Sequence, residues 1–109
     1  MVQKITRDEV RKKIDAGTAT VVEALPEQHY KEAHLPGALN LPHDAVDSLA
    51  PTLLPDKNAE VIVYCANSPC SNSGIAAQRL AELGYTNVYD YDEGKDDWVS
   101  ASLPTQSGS

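Results

Sequence analysis

The feature that most constrains the fold is a continuous apolar run near the middle of the chain. Residues 60–64 read Glu-Val-Ile-Val-Tyr, with three aliphatic β-branched residues in a row. A strand covered on one face alternates apolar and polar side chains, whereas a strand covered on both faces is apolar throughout. The run therefore predicts a central strand buried between two layers. A chain of 109 residues is long enough for one domain with such a core.

Helices and further strands alternate around this run. The first helix is predicted after Thr6, which forms a capping box with Glu9, and it ends at Gly17. Further helices are predicted over 26–33, 44–53 (with Asp44 as the cap), 74–83 and around Trp98, and strands over 18–25, 38–41 and 86–91. Alternation of this kind predicts an α/β fold of three layers, with a central, mostly parallel sheet of four to five strands and helices on both faces. We expect one domain over residues 1–104, and a disordered tail or expression remnant over 105–109.

Charge and composition exclude several classes of function. The formal net charge of −7 disfavours binding to nucleic acid and to anionic membrane surfaces. The first residues are polar, and no apolar run approaches the ~20 residues of a membrane helix. Two cysteines in this length do not form a secreted disulfide scaffold. We therefore predict a cytoplasmic protein, by default a monomer, with no nucleic acid or membrane partner.

The segment after the central strand carries the chemistry. Cys65 is the first residue past that strand, and a polar loop leads from it to the helix predicted from Gly74. Parallel α/β sheets bind ligands beyond the carboxyl ends of their strands, and a helix N-terminus favours a thiolate over a thiol. These features predict Cys65 as a nucleophile, although a small buried hydrophobe would also fit a strand end. The residues predicted to bind substrate through an amide nest are Ala66, Asn67, Ser68, Cys70, Ser71, Asn72 and Ser73.

The second cysteine leaves two roles open. Cys70 is either a resolving thiol that forms a disulfide with an adduct on Cys65, or a packed thiol at the start of the helix. A metal site is not predicted, because C-x4-C is not the C-x2-C spacing of zinc sites and no second ligand pair completes a tetrahedral set. The histidines, at positions 29, 34 and 43, do not repair this spacing. No motif implies a cofactor.

Several ordered motifs together resemble the single-domain rhodanese-like sulfurtransferases. They are Tyr-Lys-Glu-Ala-His-Leu-Pro-Gly-Ala-Leu-Asn-Leu-Pro at 30–42, the strand that ends at Cys65, Ala-Ala-Gln-Arg-Leu at 76–80, Gly-Tyr-Thr-Asn-Val at 84–88, and Gly94 through Trp98 to Pro104. The resemblance covers about residues 4–104 and implies a rhodanese-like fold. It also implies an enzyme of the thiosulfate sulfurtransferase type. The Cys65 thiolate would take sulfane sulfur from thiosulfate, a persulfide or a polysulfide. The resulting persulfide would pass its sulfur to cyanide, a thiol or a sulfur-accepting protein.

The chain departs from the family pattern at the loop. The loop is about two residues longer than usual, and residues 66–74 contain no Arg or Lys to hold a dianion. This weakens the expectation for thiosulfate. The family often has Asp-Val-Arg after the second strand. This chain has Glu23 in place of the aspartate and no counterpart of the arginine. Phosphatase chemistry is excluded, since the arginine it requires is replaced by Ser71, counted from Cys65.

Two other hypotheses stay open from the sequence. The chain could be a binding module that carries persulfide sulfur without turnover, or a thiol redox switch built on Cys65 and Cys70. Outside the loop, His34 is predicted as a structural turn residue and Trp98 as a core residue. The acidic cluster is predicted as a solvated face rather than a calcium loop, and its members are Asp90, Asp92, Glu93, Asp96 and Asp97.

Overall fold

Five parallel strands form one sheet in the computed structural model, which describes residues 2–67 and 70–108. Along the chain the elements are β1 (Val2–Lys4), α1 (Arg7–Ala16), β2 (Ala19–Glu23), α2 (Glu27–Glu32), β3 (Leu39–Asn40), α3 (Val46–Leu53), β4 (Glu60–Tyr64), α4 (Asn72–Glu82), β5 (Asn87–Tyr91) and α5 (Gly94–Ser100). The strand order is β1-β5-β4-β2-β3. The predicted α/β class and the parallel sheet of four to five strands are confirmed.

The apolar run forms β4, at the centre of the sheet. Its side chains alternate between two cores: Val61 and Val63 pack on the face covered by α3 and α4, and Ile62 and Tyr64 pack on the face covered by α1 and α5. All four are at most 1% exposed. The unbroken apolar pattern therefore has the predicted cause, which is burial on both faces.

Helix boundaries follow local hydrogen bonding. Thr6 caps α1 by accepting the Glu9 N–H, as predicted, although the distance of 3.5 Å is long. The predicted cap of α3 is wrong: α3 begins at Val46 rather than at Asp44, and its cap residue is Ala45, with no side-chain hydrogen bond. The reason is a turn in which the Ala45 N–H donates to the Pro42 carbonyl at 2.9 Å.

Residues near the C-terminus pair with an internal turn. His34 and Gln106 exchange two backbone hydrogen bonds of 2.8 Å, and the Gln106 side chain accepts the Gly37 N–H at 2.9 Å. The Gly108 N–H reaches the Lys31 carbonyl at 2.8 Å. The bonds of Gln106 and Gly108 differ from the disordered tail expected over 105–109, and position 109 of that tail lies outside the described residues.

The helices of the described residues are short. None of them is long and apolar enough to cross a membrane.

Candidate active site

Cys65 lies at the carboxyl end of β4 and has no exposed surface. In the structure its sulfur is joined to that of Cys70 in a disulfide, with the two Cα atoms 6.3 Å apart. That separation is within the range that disulfides span without backbone distortion. The pair therefore brings together the two cysteines to which the sequence assigned different roles.

Helix α5 holds the first residues of the loop by main-chain hydrogen bonds. The Lys95 N–H donates to the Cys65 carbonyl at 2.9 Å, and the Asp96 N–H donates to the Ala66 carbonyl at 2.8 Å. The Asn67 side-chain amide adds a bond to the Asp96 carboxylate at 3.1 Å. The N-terminus of α5 thus fixes the backbone on which the Cys65 thiol is mounted.

Gly94 makes this close approach possible. Its φ is +72°, a left-handed conformation that side chains rarely adopt. A Cβ at this position would lie 2.6 Å from the carbonyl oxygen of Cys65 and 2.9 Å from the carbonyl carbon of Ala66. Only glycine lets the start of α5 contact the loop backbone at this distance.

A buried charge pair supports the same end of the sheet. The Glu23 carboxylate, at the end of β2, is completely buried and lies 3.1 Å from the Lys95 ammonium. The ammonium also donates to the His29 and Ala33 carbonyls at 3.0 and 2.6 Å. All three donor positions of this lysine are therefore used by Glu23 and by the two carbonyls. The ammonium has a structural role and donates no hydrogen bond to the loop.

Tyr64 connects this pair to the turn before β3. Its hydroxyl donates to Glu23 at 2.6 Å and accepts the Leu35 N–H at 3.1 Å. Burial, and then the neighbouring Glu23 charge, raise the pKa of Tyr64 far above its usual range, so the hydroxyl remains a donor. His34 has the structural role that was predicted, since it is buried, stacks on Tyr30 and bonds the Tyr30 carbonyl through Nδ1 at 2.8 Å.

The other end of the loop leads into α4. The Cys70 N–H donates to the Asn67 carbonyl at 3.1 Å, and Ser71 is the cap residue of α4 but forms no side-chain cap bond. Helix α4 begins at Asn72, two residues before the predicted start, because the Ser71 carbonyl accepts the Ile75 N–H at 3.0 Å. Ser73, in the first turn, is buried, and its hydroxyl has no partner within the described residues. The first N–H groups of such a helix are donors for a negative charge.

An open groove of about 930 Å³ lies beside this end of the loop, and we call it the Cys70 groove. It is lined by Cys70, whereas Cys65 does not reach it. Its carboxylates belong to Asp44, Asp47, Glu82, Asp90 and Asp92, and its cations to Lys4 and Arg79. Arg79 binds Asp47 through two bonds of 2.6 and 2.7 Å, which hold the pKa of that carboxyl below its usual range. The groove therefore carries more negative than positive charge.

Most of the predicted loop residues lie around the disulfide, and Ser68 falls outside the described residues. The sequence reasoning did not single out Lys95, whose partners are far away along the chain. The acidic cluster is only partly a solvated face, which corrects that prediction. Asp90 is 3% exposed, and Asp97 accepts hydrogen bonds from Tyr91 and Arg7. Trp98 is a core residue as predicted, at 1% exposed.

Metal-binding groups do not converge in the part of the chain that the structure describes. Within residues 2–67 and 70–108, no three His, Cys, Asp or Glu side chains are grouped so as to hold an ion. The chemistry available at the site is that of the two thiols, the backbone amides of the loop and the α4 N-terminus.

The fold is a three-layer α/β fold with a parallel sheet and a cysteine directly after the central strand. Proteins of this class place the cysteine at the carboxyl edge of the sheet, where parallel α/β sheets bind their ligands. The sequence profile of the Rhodanese-like domain matches residues 6–101. The chain therefore belongs to the rhodanese-like family, and this confirms the resemblance found in the sequence.

Two curated relatives and one solved structure illustrate the similarity. The chain is 33% identical over 105 residues to the HTH-type transcriptional regulator Rv0324 of Mycobacterium tuberculosis, covering 95% of this chain and 45% of the regulator. It is 44% identical over 64 residues to the thiosulfate sulfurtransferase PspE of Escherichia coli, covering 59% of each protein. The chain thus spans about half the length of these relatives. The BH2092 protein of Bacillus halodurans shares the fold, with a TM-score of 0.87, 23% identity, and coverage of 96% of this chain and 77% of that protein.

Proposed function

We propose that this protein is a sulfurtransferase that carries sulfane sulfur as a persulfide on Cys65. The proposal rests on the position of Cys65 at the end of the central strand, where two N–H groups of α5 donate to the carbonyls of Cys65 and Ala66. Family membership over residues 6–101 and the similarity to a thiosulfate sulfurtransferase support it.

The reaction takes two displacement steps. The Cys65 thiolate attacks the outer sulfur of the donor, the sulfur–sulfur bond of the donor breaks, and sulfite leaves if the donor is thiosulfate. The Cys65 persulfide then gives its outer sulfur to the acceptor, which turns cyanide into thiocyanate or a thiol into a persulfide. This is nucleophilic catalysis, with the persulfide anion stabilised by the amides of the loop and of the α4 N-terminus.

The charges near the site favour some donors over others. Residues 66–74 contain no cation, the Lys95 ammonium is engaged with Glu23, and the Cys70 groove is acidic. A dianion such as thiosulfate lacks a charge-assisted partner there. We propose that a persulfide or polysulfide is a better donor than thiosulfate. We further propose that the protein acts as a monomer in a reducing compartment such as the cytoplasm, since the nucleophile must be a free thiolate.

A donor:cyanide assay tests the function. Reduced wild-type protein is expected to form thiocyanate from a persulfide donor and, more slowly, from thiosulfate, whereas the Cys65→Ser variant is expected to be inactive. Intact mass of the Cys70→Ser variant, in which no second thiol can react with the persulfide, should show one added sulfur after incubation with donor, and dithiothreitol should remove it. Activity that survives Cys65→Ser would refute the assignment of the nucleophile.

A second function is favoured by a different observation. Nearly the whole chain matches part of a transcriptional regulator, while the similarity to the sulfurtransferase covers 59% of it. We propose as the alternative a module whose thiols report the sulfur or redox state to a partner. Such a module would take up one sulfur, or form its disulfide, without turnover. Sustained thiocyanate production in the cyanide assay would exclude it.

A further inference from the structure

We propose that Cys70 discharges the Cys65 persulfide and releases its sulfur as hydrosulfide, leaving the Cys65–Cys70 disulfide. This inference rests on the proposed function, because it begins from the persulfide. It adds a second activity, the reduction of sulfane sulfur, which transfer to an external acceptor does not require. The observation that supports it is the disulfide between the two cysteines at the carboxyl end of β4.

The step balances between the two cysteines and one sulfur atom. The Cys70 thiolate attacks the inner sulfur of the persulfide, which is the Sγ atom of Cys65, and the bond from that atom to the outer sulfur breaks. The outer sulfur leaves with the bonding electrons and a proton as hydrosulfide. The sulfane sulfur is reduced by two electrons, and the two cysteines are oxidised to a disulfide.

Proximity gives this step an advantage over an external acceptor. Cys70 is only five positions from Cys65, and the Cα atoms lie 6.3 Å apart, so the attacking sulfur reaches the inner sulfur without rearrangement of the sheet or helices. A group tethered this closely acts at an effective concentration of about millimolar or above. Internal attack therefore competes with free thiols, unless an acceptor already occupies the site.

Regeneration requires a dithiol reductant, and the structure indicates where it attacks. In the disulfide form Cys65 is fully buried, whereas Cys70 is partly exposed and lines the groove. An incoming thiolate reaches the Cys70 sulfur and forms a mixed disulfide there, with Cys65 as the leaving thiolate. The second thiol of the reductant then frees Cys70. The place of this protein in a reaction sequence is between a source of persulfide and a dithiol–disulfide reductase.

A single-turnover experiment tests the proposal, using the full chain. The protein is reduced, freed of reductant without oxygen, and mixed with an equimolar amount of glutathione persulfide. Hydrosulfide is trapped and counted, and intact mass is measured after alkylation of free thiols. The chain has two cysteines, so Cys65→Ser and Cys70→Ser are matched variants.

Wild-type protein is expected to release one hydrosulfide per chain and to end with two hydrogens lost and no alkylated thiol. Cys70→Ser is expected to gain one sulfur atom and to release almost no hydrosulfide. Cys65→Ser is expected to gain no sulfur and to release no hydrosulfide. Wild-type protein that keeps the added sulfur and releases no hydrosulfide would overturn the inference and leave the proposed function intact.

Two other outcomes also decide the matter. If Cys70→Ser gains glutathione instead of sulfur while the wild type forms the disulfide, then Cys65 attacks the inner sulfur of glutathione persulfide and releases hydrosulfide directly. Cys70 then displaces glutathione from that mixed disulfide, no Cys65 persulfide is involved, and the inference falls. If Cys70→Ser gains no sulfur from glutathione persulfide, thiosulfate or polysulfide, the proposed function itself falls. Cys70→Ala repeats the measurement, and near-ultraviolet circular dichroism of the buried Trp98 verifies that each variant is folded.

Discussion

Two buried carboxylates lie on the strands that flank β4, and they are held in opposite ways. Glu23 is completely buried, and its carboxylate is bonded by the Tyr64 hydroxyl and the Lys95 ammonium. Asp90 is 3% exposed. Within the described residues its Oδ2 pairs only with Lys4, whose side chain is 70% exposed, and its Oδ1 has no partner. The first carboxylate is satisfied inside the protein, and the second is open to the Cys70 groove.

The difference separates the two ends of the active-site loop. The Glu23 side joins β2, β4 and α5, and α5 fixes the main chain of Cys65. The Asp90 side faces α4 and the groove, where Cys70 has a single backbone bond to Asn67 among the described contacts. A buried thiol on a main chain fixed by α5, and a second thiol that is partly exposed at the groove, suit the proposed reaction in which a disulfide repeatedly forms and opens.

The largest effect is expected when the Glu23 pair is broken. Glu23→Gln leaves the Lys95 ammonium, whose side chain is 13% exposed, without its counter-charge, and we expect a loss of about 3–5 kcal/mol in the free energy of unfolding. Urea unfolding measures it. In the double variant Glu23→Gln with Lys95→Met neither charge remains, so part of the loss should be recovered. If the two single effects simply add, the charges are not coupled.

Gly94→Ala tests the close approach of α5 to the loop. We expect a loss of about 2–3 kcal/mol, because the new Cβ meets the Cys65 carbonyl oxygen at 2.6 Å and the φ of +72° is unfavourable. Gly37→Ala is the matched control, since Gly37 has a φ of +74° and no atom within 4 Å of the added Cβ. The extra loss in Gly94→Ala measures the contact alone. Equal losses in thermal unfolding would show that the contact has no consequence.

Tyr64→Phe tests the link between Glu23 and the turn. Removal of the hydroxyl leaves the Leu35 N–H and one Glu23 oxygen without this partner, and we expect a loss of about 1–2 kcal/mol by urea unfolding. Tyr85→Phe, which removes a hydroxyl bonded to the Leu54 carbonyl away from the site, is the comparison. In the Cys70→Ser background, where the Cys65 persulfide accumulates, its yield should fall only in Tyr64→Phe, and a fall in both variants would point to a general loss of stability.

Gly74→Ala extends the comparison to the Asp90 side and has the opposite sign. Gly74 lies inside α4, and an added Cβ would meet only Asp90 Oδ2, at 3.9 Å, an ordinary contact. We expect a gain of about 0.5–1 kcal/mol from helix propensity and reduced freedom of the unfolded chain. Thermal unfolding checks it. A loss comparable to that of Gly94→Ala would mean that this side is packed as tightly as the other.

The smallest effect is expected for Asp90→Asn. The carboxylate is buried with one exposed cationic partner, so removal of its charge relieves desolvation about as much as it forfeits attraction, and the change should be within about 0.5 kcal/mol. Comparison with Glu23→Gln, the same isosteric change on the other side, measures the contrast directly in urea. A loss as large as that of Glu23→Gln would remove the distinction between the two carboxylates.

Local sequence patterns predicted the sheet, its central strand and the position of Cys65. The Val-Ile-Val run and the capping signals at Thr6 and Gly17 depend only on residues that are neighbours along the chain, so the sequence is enough to predict them. The prediction that Asp44 caps α3 was wrong because the turn after Pro42 competes with the cap. The rhodanese-like pattern also pointed to the loop, whose roles stay predictions.

The charge pair and the groove could not be read from the sequence. Lys95 and Glu23 are 72 positions apart, and nothing near Lys95 shows that its ammonium is buried. Asp90 has the same residue type as Asp92, whose side chain is 44% exposed, and Asp90 lies on β5, which packs against α4. Contacts of this kind depend on how the layers meet in space, which periodicity does not encode.

The main-chain bonds from α5 to the loop have a consequence for sequence variation. The donors to Cys65 and Ala66 are N–H groups, which every residue except proline supplies. The side chain at position 96 can therefore change across a population of related sequences while both main-chain bonds to the loop remain, and such a change removes only the added bond from the Asn67 side chain. The position that must keep its residue is Gly94, because any side chain there would collide with the loop backbone. A survey of natural variants should find that the smallest residue near the site tolerates the fewest replacements.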